Sequence, residues 1–182
     1  MTYYERNLPH WQPEGAAIFL TWRLYGSFDA TRQLAKLSTA GPAFAAFDRE
    51  LDRATAGPQW LRQPAIARCV VDALRFGERQ LGLYTMGAYC VMPNHVHLLV
   101  DPKQSVPRIT RVVKGYTARR ANQLLGRGGR FWQDETYDHW VRNQDERQRT
   151  IRYIERNPVK AGLADRIERW PWSSASDPSS RI

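Results

Sequence analysis

The chain has 182 residues, 42% of them apolar, and carries 27 Lys and Arg against 18 Asp and Glu, a net charge of +9. That length supports one compact domain with its own core, and such an apolar share argues against disorder. No stretch approaches the roughly 20 apolar residues of a spanning helix, the N-terminus lacks a signal-peptide core, and Cys69 and Cys90 are too few for a disulfide framework.

Residues 1–182 therefore read as a single domain with 165–182 as a C-terminal tail. It is expected to be cytoplasmic and nucleoid-associated, with no membrane partner. The charge excess points to a polyanion, nucleic acid above all. In chain order, Ala16 to Leu24 is rich in β-branched and aromatic residues and predicts a first, buried strand ending at Gly26-Ser27. Thr31 to Ala56 has helical composition, broken at Gly41-Pro42 and closed by Gly57-Pro58. After Pro64 the apolar positions Ile66, Val70, Ala73, Leu74 and Leu81 recur at helical spacing, the mark of one buried stripe.

Leu83 to Met92 and Val96 to Asp101 are apolar runs joined by Pro93-Asn94, which predicts an antiparallel hairpin with His95 opening its second strand. A further helix runs from Ser105 to about Leu125, with Pro107 tolerable in its first turn and Gly126 ending it. Gln144 to Arg156 predicts a last helix, stopped at Asn157-Pro158, before Trp170-Pro-Trp-Ser-Ser opens the tail. This order suits an α+β fold, a ferredoxin-like antiparallel sheet covered by helices.

His95-Val96-His97 carries the sharpest chemistry, because side chains two apart on a strand share a face and place two imidazoles side by side for a metal. From Lys103 to Arg130 the chain holds eight Lys or Arg and no acid: Lys103, Arg108, Arg111, Lys114, Arg119, Arg120, Arg127 and Arg130. All but the first are candidate DNA contacts. Tyr116 lies within this run, about 60° or less around the helix from Ile109, Val112, Val113, Arg120 and Gln123, so it is expected to face the sheet and the histidines. A phenol with a pKa near 10 needs an activated electrophile, and a divalent ion holding a phosphate oxygen supplies one. Tyr116 is then the candidate nucleophile on a DNA phosphodiester, and His95 and His97 the metal ligands. Gln123 is a possible third ligand, with Asn94 and His139 weaker ones. His139 is better explained as a hydrogen-bonded structural histidine, and most of the seven Trp as core.

The ordered run of Arg6-Asn-Leu-Pro-His10, Ile18-Phe-Leu-Thr-Trp-Arg-Leu24, Val91-Met-Pro-Asn-His-Val-His-Leu-Leu99, Lys114-Gly-Tyr-Thr-Ala-Arg-Arg-Ala-Asn122, Phe131-Trp-Gln-Asp-Glu-Thr-Tyr-Asp-His-Trp-Val-Arg142, Tyr153-Ile-Glu-Arg-Asn-Pro-Val-Lys-Ala-Gly-Leu163 and Trp170-Pro-Trp-Ser-Ser174 resembles the HUH single-tyrosine transposases. More narrowly, it is similar to the REP-associated tyrosine transposases. The resemblance implies the HUH nuclease fold, a Mg2+ or Mn2+ ion at His95 and His97, Tyr116 as nucleophile, and a monomer that cleaves and rejoins single-stranded DNA beside palindromic hairpins. In the insertion-sequence relatives an amide one turn beyond the tyrosine completes the metal site. Beyond Tyr116 that position is Arg120, a departure from the pattern.

Two other readings remain open on the residues alone. One is a nucleic-acid-binding module of the same fold without catalysis, in which the histidines are structural. The other is a metallohydrolase that uses water as nucleophile.

Overall fold

The computed structural model describes residues 2–5, 9–12, 15–27 and 57–177. The helix expected over Thr31 to Ala56 lies outside the described residues. Strands β1 (Thr2–Glu5) and β2 (Pro9–Gln12) form a small antiparallel hairpin that the sequence pattern did not announce. The main sheet is antiparallel throughout, in the order β4-β5-β3-β6, from β3 (Ala17–Arg23), β4 (Tyr84–Val91), β5 (His95–Pro102) and β6 (Tyr137–Val141). Helices α1 (Pro64–Arg79) and α2 (Val106–Leu124) link its strands, and α3 (Gln144–Lys160) follows β6. The β3-α1-β4-β5-α2-β6 order is the split βαβ of the ferredoxin-like class, as expected.

Strand alternation sorts the sheet into two faces. Ile18, Leu20 and Trp22 of β3 and Val96, Leu98 and Val100 of β5 point to one, where they pack with Ile66, Val70 and Leu74 of α1 and Ile109, Val113 and Ala121 of α2. The other face carries Ala17 and Phe19, Leu99, and Ala88 and Cys90, and is covered by Ile154 of α3 with Tyr153 beside it. His95 and His97 alternate with Val96 and Leu98, so they belong to the α3 face. The sheet thus separates α2 from the histidines.

This arrangement overturns the expected orientation of Tyr116. The residues of α2 that bury are Val106, Ile109, Val113, Thr117 and Ala121. At 100° per residue Tyr116 lies about 80° from the centre of that stripe, and it is 56% exposed. Val112, only partly buried, had drawn the expected stripe toward the tyrosine.

The last helix also differs from expectation, running through Asn157-Pro158 to Lys160. A proline removes one backbone donor and crowds the preceding turn, yet here it stands close to the helix end, and its carbonyl accepts from Leu163 N–H (2.8 Å). Asn143 caps the start, accepting from Glu146 N–H (2.9 Å). Arg147 then reaches across β4 to Asp101 at the end of β5 with two 2.7 Å bonds. Gly87, at the irregularity between Met86 and Ala88, makes the crossing possible, because a Cβ there would come within 3.2 Å of the Arg147 guanidinium. The hydrogen bond to Asp101 raises the Arg147 pKa. Asp101 is half-exposed, so Asp101→Asn should lower unfolding stability by only about 1 kcal/mol, read as a reduced urea midpoint at unchanged slope.

Strand β6 was not anticipated. Its register against β3, with Phe19 opposite His139 and Thr21 opposite Tyr137, brings Tyr137 to the α3 face. Burial, with Asp138 and Glu146 adding to it, pushes the Tyr137 phenol up to about 12. Burial likewise raises Tyr84 and Tyr89. A phenol whose folded pKa exceeds its unfolded value near 10 contributes stability that is whole below pH 10 and lost as the pH climbs through the folded value. Urea midpoints should therefore hold to about pH 9.5 and fall from pH 10 to 12, by about 1 kcal/mol per such phenol per pH unit; a midpoint rising over that interval would contradict it.

The tail docks. Val91 N–H donates to Trp172 O (2.8 Å), Trp170 Nε1 donates to Val91 O (3.0 Å), and Ser174 Oγ accepts from Tyr89 N–H (3.2 Å). Residues 173–175 are buried against the edge strand β4, so this edge is covered rather than open. Among the described residues no helix is long and apolar enough to cross a membrane.

Candidate active site

The Pro93-Asn94 turn, closed by Met92 N–H donating to His95 O (2.9 Å), starts β5 so that His95 and His97 enter the sheet on the α3 face. Both are fully buried. Their Nε2 atoms lie 3.1 Å apart, and each Nδ1 has its own oxygen partner: Asn94 Oδ1 for His95 (2.6 Å) and Thr21 Oγ1 for His97 (2.8 Å). Thr21 is the cross-strand neighbour of His97, and Arg23 that of His95. Phe19 stacks on the His97 ring at 5.6 Å between centroids.

Helix α3 delivers two more groups. Tyr153 meets the His97 ring edge-on at 5.8 Å, and the amide of Asn157, one turn further on, has Nδ2 3.1 Å from His97 Nε2. Half a turn of the amide places Oδ1 there instead. Lys160 holds its ammonium 4.5 Å from the Tyr153 ring centre. Arg23, on the same sheet face, is buried, and burial lowers its pKa.

Whether these residues suit a metal can be tested on spacing. Two neighbouring donors on an octahedral ion with bonds of about 2.1 Å stand about 3.0 Å apart. The two Nε2 atoms and the Asn157 amide match that spacing. Among the described residues no three His, Cys, Asp or Glu side chains gather as a metal site, so the third donor is an amide. Two imidazoles and an amide oxygen fit a borderline-hard divalent ion that keeps water for its other positions.

The other expected site residues lie elsewhere. Tyr116 sits on the helix across the sheet, and Gln123, exposed on the same helix, accepts from Arg120 (3.4 Å). Neither is brought to the histidines, because β5 presents its imidazoles away from α2. His139 donates or accepts at Glu146 (3.0 Å), the structural role expected. Arg108, Arg111, Arg119, Arg120 and Arg130 are exposed and available to a polyanion. Arg111 and Arg130 line a cleft with Pro107, Gly115 and Phe131. Lys114 is engaged otherwise: its Nζ donates to Gln133 O, Asp134 O and Thr136 Oγ1, tying down the loop after α2. Arg127 lies over Trp60 at 4.1 Å and donates to Asn122 Oδ1 (2.9 Å).

Sequence reasoning missed Tyr153 and Asn157, although a signal was present. The pattern of a tyrosine followed one turn later by an amide fails at Tyr116, where Arg120 stands, and is met at Tyr153-Ile-Glu-Arg-Asn157. Reading Asn157-Pro158 as a helix stop hid it. Tyr137, also on this face, is held protonated by its burial and is the poorer nucleophile.

A split βαβ sheet with a paired-histidine centre and a tyrosine helix across it is the class of the transposases of the IS200 type, and the family model described as "Transposase IS200 like" matches residues 79–157, from the end of α1 through Asn157. The narrower resemblance, to REP-associated tyrosine transposases, is borne out by two relatives. A Haemophilus influenzae protein, provisionally described as a REP-associated tyrosine transposase, is 27% identical over 99 residues, 48% of this chain and 56% of that protein, so the match spans little more than half of the relative's length. A solved REP-associated tyrosine transposase bound to a REP hairpin superposes with a TM-score of 0.59 at 19% identity, covering 100% of this chain and 87% of the other, and shows the shared fold.

Proposed function

We propose that this protein is a divalent-metal-dependent nuclease and strand transferase acting on single-stranded DNA beside hairpins, with Tyr153 as its nucleophile. One observation carries the reading: Tyr153, Asn157, His95 and His97 converge from two elements on one buried point. His95, His97 and Asn157 would hold Mg2+ or Mn2+, which when bound neutralises charge on a phosphate oxygen. The Tyr153 phenol oxygen attacks phosphorus and forms a new P–O bond as the bond to the 3′ oxygen breaks. The phenolic proton passes to solvent, and the departing 3′ oxygen takes one up as a hydroxyl. The DNA 5′ phosphate stays esterified to Tyr153, and attack by another 3′ hydroxyl reverses the step and rejoins the strand.

Lys160, beside the tyrosine ring, and Arg23, beside His95 in register, are cations placed to meet the phosphate. Phe19 and Tyr137 wall the site and keep water from the ester. The exposed arginines of α2 then serve binding rather than chemistry. The hairpin and the monomeric state come from the likeness to the relatives described above.

The test is to incubate the protein with an end-labelled single strand bearing a hairpin, with Mn2+ or with chelator. A labelled covalent adduct that needs Mn2+ supports the reading. Salt-sensitive binding indifferent to chelator, with no adduct, would leave a non-catalytic binding module of the same fold.

A further inference from the structure

The metal-centre reading above leaves unexplained how two imidazoles can sit with their Nε2 atoms 3.1 Å apart in a site from which water is excluded. Two bare lone pairs at that distance repel, so without a cation one hydrogen must lie between them. Asn94 decides which ring supplies it. Its Oδ1 only accepts, at 2.6 Å from His95 Nδ1, so His95 carries its proton on Nδ1 and offers a bare Nε2. The bridging hydrogen therefore belongs to His97 Nε2, and His97 Nδ1 is bare.

That nitrogen faces Thr21 Oγ1 at 2.8 Å. A hydroxyl both donates and accepts, and turning about its C–O bond exchanges the two roles. With a cation between the imidazoles the requirement inverts, since both Nε2 atoms must then present lone pairs and His97 must carry its proton on Nδ1.

We infer that Thr21 is a positioning residue whose hydroxyl lets His97 exchange tautomers as a divalent cation enters. Without the cation Thr21 Oγ1–H donates to His97 Nδ1, and His97 Nε2–H donates to His95 Nε2. With the cation one proton leaves Nε2 and one is taken up at Nδ1, so the ring stays neutral, and Nδ1–H now donates to Thr21 Oγ1. The Asn157 amide, with its oxygen turned inward, accepts from His97 Nε2–H in the first state and offers the same oxygen to the cation in the second. Asn94, by contrast, holds His95 in a single tautomer throughout. Main-chain register makes this possible, because Thr21 and His97 are paired residues of β3 and β5 and their side chains rise together.

The experiment measures Mn2+ affinity by calorimetry on the full chain, without DNA. Thr21→Val keeps the shape and removes the hydroxyl, and it should weaken Mn2+ binding 10- to 100-fold, while Thr21→Ser should restore it to within about threefold. In the wild-type protein, 15N shifts of His97 should report Nε2–H alone and Nδ1–H after Mg2+ is added, a readout that does not depend on the valine variant folding. Equal Mn2+ affinity in wild type and Thr21→Val, or a His97 tautomer unchanged by Mg2+, overturns the inference and leaves the metal centre standing. If the wild-type protein binds no Mn2+, the metal-centre reading falls and takes this inference with it.

Discussion

Tyr153→Phe is expected to abolish the covalent protein–DNA adduct, with strand cleavage falling at least about 1,000-fold, while Tyr116→Phe retains both. The substitution removes one oxygen and leaves the ring that meets Phe19 and His97, so stability and Mn2+ affinity should hold within about twofold. Tyr116 is 56% exposed on α2, across the sheet from the imidazoles, and its hydroxyl supports no packing. Denaturing electrophoresis of labelled DNA reads the adduct directly. An adduct that survives Tyr153→Phe and vanishes in Tyr116→Phe would reject the assignment. Cleavage that survives Tyr153→Phe without any adduct would favour water as nucleophile and a free 5′ phosphate.

The pair of tyrosines also shows what the amino-acid order discloses and what it withholds. Strand periodicity located His95 and His97 and the hairpin that carries them, since alternation along β5 is a local property. Helical periodicity located α1 and α2 equally well, Pro64 and Gly126 marking their ends. Which face each helix covers is not local. Tyr116 and the histidines are separated by one strand end and four turns of helix, and nothing in that interval states that β5 turns its imidazoles away from α2. The partner came instead from α3, more than 50 residues beyond His97 in sequence and brought back by β6 pairing with β3. Strand β6 reads poorly because it is short and mostly half-buried, with Asp138 and His139 inside it. Helix α3 is polar almost all round, burying only Ile154, Asn157 and Pro158. It is therefore held to the sheet through named polar contacts, Arg147 to Asp101, Glu146 to His139 and Asn157 to His97, more than by a hydrophobic stripe.

Loss of one metal donor should separate fold from chemistry in the opposite sense to Tyr153→Phe. In the wild-type protein, Mn2+ at 100 times its Kd should add about 2.7 kcal/mol to unfolding stability, because it binds the folded chain alone. His97→Ala removes a ligand that also stacks on Phe19 and bonds to Thr21 and Asn157, so it should abolish that metal-linked increment and reduce adduct formation by at least about 1,000-fold. Without metal its cost is smaller than that of an aliphatic core residue, since the substitution also relieves the crowding of two Nε2 atoms 3.1 Å apart. Asn157→Ala should be graded between these limits, because two imidazoles can still hold the ion while water takes the third place. The metal-linked increment should shrink by about 1 to 3 kcal/mol, the 10- to 100-fold affinity loss expected of a lost neutral donor. Asn157→Asp adds a negative charge in place of the amide, and should tighten Mn2+ while slowing attack on an anionic phosphate. Thermal melts of the three variants across a Mn2+ series, set beside adduct yields, order these effects. A His97→Ala protein stabilised by Mn2+ as much as the wild type would remove the imidazole pair from the metal centre.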